Sequence, residues 1–129
     1  MEHASVLLVE DNPASQEAVR DVLENSGHQL LKPVDTREKA LEALDLIKDG
    51  ALDCEVVILD GNLSRRSTNG EDARVIADRI RELKLPLKII GFSIIDMSSY
   101  GIEVDADPTK DGYEQIPNII DNFPELNAI

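Results

Sequence analysis

The stretch SVLLVEDNPASQEAV, residues 5–19, shows the unit from which the rest of the chain is built. Val6 to Val9 form a short aliphatic run between polar residues, the pattern of a strand buried on both faces. Two carboxylates, Glu10 and Asp11, follow at once. Asn12 then offers an N-cap side chain, and Pro13 takes the first helical position, where its missing N–H costs nothing. Ala18, Val19, Val22 and Leu23 give the ensuing helix an apolar stripe, and Gly27 stops it.

The unit recurs. Further aliphatic runs lie at Leu30 to Leu31 with Val34, at Val56 to Leu59, at Leu87 to Ile90 and, more weakly, at Ile102 to Ala106. A second helix is predicted from Asp35, with Glu38 three residues on as a capping-box variant; it buries Ala40, Leu41, Leu44 and Ile47 and stops at Gly50. A third runs from about Glu71, with Val75, Ile76, Ile80 and Leu83 at helical spacing, and ends before Pro86. The last spans about Tyr113 to Phe123, burying Ile116, Ile119, Ile120 and Phe123, and tolerates Pro117 only in its first turn. Strand and helix alternating in this way predict an α/β fold, a doubly wound five-stranded parallel sheet. Ligands of such sheets sit beyond the carboxyl ends of the strands, where the strand order reverses.

Composition narrows the function. The chain has 129 residues and a net charge of −13, which argues against non-specific nucleic-acid binding and against an anionic membrane surface. No apolar stretch approaches the roughly 20 residues that span a bilayer, and Met1-Glu2-His3 has no basic lead into a signal core, so the chain reads as cytoplasmic. Cys54 is the only cysteine, which excludes an internal disulfide; its aliphatic neighbours suggest a buried small hydrophobe. No linker or repeat divides the chain, so residues 1–129 are expected to form one domain with its core at about 4–124.

The residues that follow the runs are Glu10 and Asp11, Asp60, Ser93 and Lys110. Three converging carboxylates repel one another by several kcal/mol at about 4 Å outside bulk water, and a divalent cation relieves this. Oxygen donors without Cys or His suit Mg²⁺ or Mn²⁺ rather than Zn²⁺. A carboxylate beside such an ion, with a hydroxyl and an ammonium at hand, is equipped to accept a phosphoryl group. Taken singly, each residue has a plainer reading: the acidic pair as helix caps, Asp60 as a strand terminator, Ser93 as a turn residue, Lys110 as a surface charge. Their joint occurrence is what points to one chemistry. A calcium loop starting at Asp60 fails because Arg65 stands where glycine is needed.

These motifs, SVLLVEDNPASQEAV at 5–19, VVILDGNL at 56–63, KIIGFS at 88–93 and TK at 109–110, resemble those of the response-regulator receiver domain of two-component signalling. The resemblance implies a flavodoxin-like receiver fold. It also implies Glu10 and Asp11 as the acidic pair for Mg²⁺, Asp60 as phosphoacceptor, and the backbone carbonyl of Asn62 completing the metal shell. Ser93 becomes the switch hydroxyl and Lys110 the phosphate-pairing lysine. A histidine kinase or phosphotransfer protein would supply the phosphoryl group, and a downstream protein partner would read it. Such a protein is no enzyme beyond its own phosphorylation and dephosphorylation, and is expected to be a monomer or weak dimer.

Several positions depart from the family pattern. Asp111 follows the lysine where a proline is usual, Asp107 replaces an aromatic residue, and Ile94 stands where a small residue is preferred. Only 17 positions separate Ser93 from Lys110, which predicts a fourth helix shortened to a turn around Ile95 to Tyr100. Arg65 and Arg66 make one basic spot near the site and are candidates for docking an acidic partner or an approaching phosphate. Two functions follow: a single-domain receiver phosphorylated on Asp60, or a pseudo-receiver that acts as an interaction module without phosphorylation. A Mg²⁺-dependent phosphohydrolase on a similar sheet would need a general acid or base near Asp60, and neither His3 nor His28 follows a strand.

Overall fold

Side chains alternate across the strands and so supply two helical layers. In the computed structural model, which describes residues 1, 3–61, 63 and 70–124, Val6, Leu8, Val56, Ile58 and Ile90 face one side of the sheet and Leu7, Val9, Val57, Leu59 and Ile89 the other. The elements are β1 (Ser5–Val9), α1 (Pro13–Asn25), β2 (Gln29–Leu30), α2 (Arg37–Lys48), β3 (Val56–Leu59), α3 (Glu71–Glu82), β4 (Lys88–Gly91) and α4 (Ile116–Asp121). Short 3₁₀ turns occur at Met97–Tyr100 and Tyr113–Gln115. The strands are parallel in the order β2-β1-β3-β4. Helices α2 and α3 cover the face that carries Leu7 and Leu59, while Val19 and Leu23 of α1 and Ile116 and Ile120 of α4 pack on the other. No helix among the described residues is long and apolar enough to cross a membrane.

Among the described residues the sheet has four strands rather than the five expected. The fifth run contributes a single bridge, Ala106 to Ile90, because side chains take the groups a strand would pair. Asp105 Oδ2 accepts the Ile89 N–H at 2.7 Å, and Asp107 Oδ2 accepts the Met97 N–H at 2.7 Å. The second strand is likewise shorter than the run from Leu30 to Val34. Pro33 has no N–H to give, and pairing resumes only as the isolated bridge Val34 to Val9.

Helix starts follow the expected chemistry with one correction. Asn12 caps α1, its side chain accepting from the Ser15 N–H at 3.0 Å, with Pro13 at the first position. At α2 the cap is Thr36, not Asp35: the Thr36 hydroxyl accepts from the Lys39 N–H at 3.1 Å, while Asp35 pairs with the Lys39 ammonium at 3.0 Å. The shortened fourth helix is present as the Met97–Tyr100 turn. Pro117 sits in the first turn of α4, as its missing N–H demands.

Candidate functional site

The chain leaves β1 for β2 on one side, then returns past it to β3 on the other, so the strand order reverses between β1 and β3. At that point Glu10, Asp11 and Asp60 come together, each offering a carboxylate oxygen within 4.8 Å of the others. Glu10 and Asp60 are buried, and Asp11 is exposed.

Glu10 is the most constrained of the three. Its Oε1 accepts from the Lys110 ammonium at 2.9 Å and from the Asn12 N–H at 3.3 Å, and its backbone carbonyl accepts from Gln16 Nε2 at 2.7 Å. Its Oε2 is buried with no hydrogen-bond partner among the described residues. Burial pushes the Glu10 carboxyl up to about 8; the neighbouring Asp60 carboxylate adds to this, and Lys110 opposes it. An acidic pocket of hard oxygens with one buried oxygen left over is compatible with a divalent cation.

Lys110 reaches the pocket through the loop that follows the Ala106 bridge. Thr109 adopts a left-handed backbone, φ 62°, which turns the chain so that the Lys110 N–H donates to the Ser93 carbonyl at 2.9 Å. Gly112 closes the same turn, since a Cβ there would run into the Pro108 carbonyl. The Lys110 ammonium lies 3.5 Å from Asp60 Oδ2 and 5.8 Å from the centre of the Phe92 ring. Burial alone would lower its pKa, but the hydrogen bond to Glu10 and the charges of Asp60 and Glu10 outweigh that and raise it. The lysine is therefore a fixed positive charge beside Asp60.

Ser93 is buried at the exit of β4, and its Oγ is 2.9 Å from where a Cβ on Gly61 would lie, beside the residue that follows Asp60. Ile94 and Ile95, by contrast, are 80% and 47% exposed, so Ile94 extends into solvent at the rim rather than filling the pocket. The structure thus brings together Glu10, Asp11, Asp60, Ser93 and Lys110. Asn62, Arg65 and Arg66 lie outside the described residues. Cys54 is half-buried, donates to the Val56 carbonyl at 3.2 Å and has its thiol pushed up to about 12 by burial, which disfavours the thiolate. Sequence reasoning missed Gln16 and Thr109. Gln16 was within reach of it, four residues after the Asn12 cap and so on the same helix face; Thr109 carries no local signal.

No family model and no curated protein matches the sequence. Solved structures do. The Mn²⁺-bound form of the response regulator Rcp1 aligns at 21% identity and a TM-score of 0.68, over 98% of this chain and 96% of that one. The phosphorylated cyanobacterial phytochrome response regulator RcpA aligns at 23% identity and a TM-score of 0.69, over 94% and 93%. The signal receiver domain of the response regulator NarL from Mycobacterium tuberculosis aligns at 19% identity and a TM-score of 0.70, over 94% and 96%. At these identities the likeness is one of fold: the chain has the response-regulator receiver fold along nearly its whole length.

Proposed function

We propose that this protein is a receiver that accepts a phosphoryl group on Asp60 and signals by protein contact. The observation that supports it most is the placement of Asp60, its side chain 6% exposed, between the Lys110 ammonium at 3.5 Å and a second buried carboxylate. An Asp60 carboxylate oxygen forms the new bond to phosphorus as the donor's bond to it breaks. Lys110 neutralises the charge that develops on the phosphoryl oxygens, and Ser93 donates its hydroxyl to the product. Glu10, Asp11 and Asp60, with the backbone carbonyl of Asn62, would hold Mg²⁺ or Mn²⁺, which screens the pocket's negative charge from the incoming phosphate. The Mn²⁺-bound and phosphorylated relatives of like fold support this reading.

The donor is a histidine kinase or phosphotransfer protein, the reader is a downstream protein, and the setting is the cytoplasm. The chain performs no chemistry beyond its own phosphorylation and dephosphorylation. The alternative is a pseudo-receiver that signals without phosphorylation; the observation favouring it is Asp107, which stands in an aromatic position and is committed to the Met97 N–H. Intact mass after incubation with acetyl phosphate and Mg²⁺ separates the two. One added phosphoryl, absent in Asp60→Asn, supports phosphorylation, and no added mass with any of several donors leaves the pseudo-receiver.

A further inference from the structure

The sheet ends at β2, and a groove opens between that edge strand and α2. Its volume is about 430 Å³, within the roughly 300–1,000 Å³ typical of small-molecule sites. Leu7 of β1, 1% exposed, lies at the bottom; Leu31 and Val34 line the strand side, and Ala43 and Leu46 of α2, with Leu52 beyond it, line the other. Ala43 is short and leaves the space open. Leu46 is 48% exposed, one of three large apolar side chains among the described residues left so open to water. A leucine at the mouth of an apolar groove gains from any apolar chain that covers it.

The edge itself is closed to an added strand. Gln29 and Leu31 give their N–H groups to the Ala4 and Val6 carbonyls at 2.9 Å each, so Leu30 and Lys32 turn theirs outward. One residue more lies between Leu30 and Val34 than between their partners Val6 and Val9, and Pro33 within that stretch has no N–H. A bulge with a proline ends a sheet edge, and the run left over is too short to pair with a peptide. The occupant that fits is a single apolar chain lying over Leu7.

Charge at the rim selects the head of that chain. Three charged residues line the groove, Lys32, Lys39 and Glu42, a surplus of one positive charge on a chain of net charge −13. Asp35 already claims the Lys39 ammonium at 3.0 Å. Lys32 is exposed and has no ion pair or hydrogen bond among the described residues. Its ammonium stands beside the apolar opening, free to receive an anion.

We propose that the groove between β2 and α2 binds an aliphatic carboxylate, the apolar chain lying over Leu7 and under Leu46 with the carboxylate at Lys32. None of Glu10, Asp11, Asp60, Ser93 and Lys110 lines the groove, so the site is independent of phosphorylation.

The test titrates the ¹⁵N-labelled protein with butyrate, hexanoate, octanoate and 1-octanol, following amide shifts and calorimetry together. Full burial of a methylene is worth about fourfold in affinity and half burial about twofold, so octanoate should bind about ten- to a hundredfold more tightly than butyrate. The shifts should centre on residues 30–34 and 39–52. Lys32→Gln should weaken octanoate about two- to fivefold and leave 1-octanol unchanged. Leu46→Glu, at an exposed position, should weaken both more than about tenfold by placing a carboxylate in the apolar mouth. The chain-length series needs no substitution and stands whatever the variants do. Absence of saturable binding, affinity independent of chain length, or shifts centred elsewhere would overturn the site. Equal loss of octanoate and 1-octanol in Lys32→Gln would overturn the anionic head. Sedimentation of the ligand-free protein as a dimer that Leu46→Glu splits would assign the groove to a second copy and overturn the proposal.

Discussion

Glu10 should make cation binding strongly pH-dependent. In the metal-free protein its carboxyl is pushed up to about 8 by burial and by Asp60, against the opposing Lys110, so at pH 7 only about one Glu10 in ten is ionised. A divalent cation needs the ionised form and must displace that proton. The apparent Kd for Mg²⁺ should therefore fall about ninefold from pH 6 to pH 7, about fivefold more to pH 8, and level off above pH 9. Proton release should be close to one per ion at pH 7 and about half that at pH 8. Isothermal titration in two buffers of different ionisation enthalpy measures both quantities. Glu10→Gln should abolish the slope and the proton release while weakening binding at the alkaline end. The same shift sets the stability of the metal-free protein. Because the folded value lies above the ordinary 4.5, the contribution is fully present below about 4.5 and is lost as pH rises through about 8, where Mg²⁺ should restore it. An equal Kd at pH 6 and pH 8, with no proton release, would refute the argument.

Other perturbations follow from single contacts. Lys110→Met removes the ammonium 3.5 Å from Asp60 and should slow phosphorylation about a hundredfold, read as the initial rate of mass gain. His28 is buried, its Nδ1 accepting the Ala4 N–H at 3.0 Å and its Nε2 bonded to Asp121 Oδ1 at 2.9 Å. His28→Leu leaves the Ala4 N–H unsatisfied and should cost about 1–3 kcal/mol in urea unfolding, with phosphorylation unaffected; a change below about 0.5 kcal/mol would contradict this. Gly91→Ala places a Cβ 2.6 Å from Met97 Cγ and 2.8 Å from Asp107 Oδ1, and should cost about 1–3 kcal/mol in the same assay by forcing the turn at 97 off β4.

The central strands and the pocket were legible because their signals are local. The runs at 6–9 and 56–59 are uninterrupted aliphatics, and in a parallel sheet the residue after each run must lie at the same edge as its neighbours. Asn12 and Pro13 declare the start of α1 on their own. The fifth strand was misread because the run from Ile102 to Ala106 does look like a strand; only in three dimensions does the Asp105 carboxylate take the Ile89 N–H that a neighbouring carbonyl would have accepted. The cap of α2 was ambiguous for a related reason. Asp35 and Thr36 are both cap formers, and Lys39, whose ammonium claims Asp35, decides between them. At the site, Lys110 and Glu10 are 100 positions apart, so their 2.9 Å contact follows from topology and not from spacing. The left-handed Thr109 that aims the lysine depends on a chain path that no periodicity encodes.

The central claim is that Asp60 forms an acyl phosphate. The direct measurement is to incubate the protein with acetyl phosphate and Mg²⁺, reduce the acyl phosphate with borohydride, which converts the modified aspartate to homoserine, and map the product by peptide mass spectrometry. The account predicts homoserine at position 60 alone, dependent on Mg²⁺ and strongly diminished in Lys110→Met. Homoserine at another carboxylate, or none at position 60 under any donor, would contradict it.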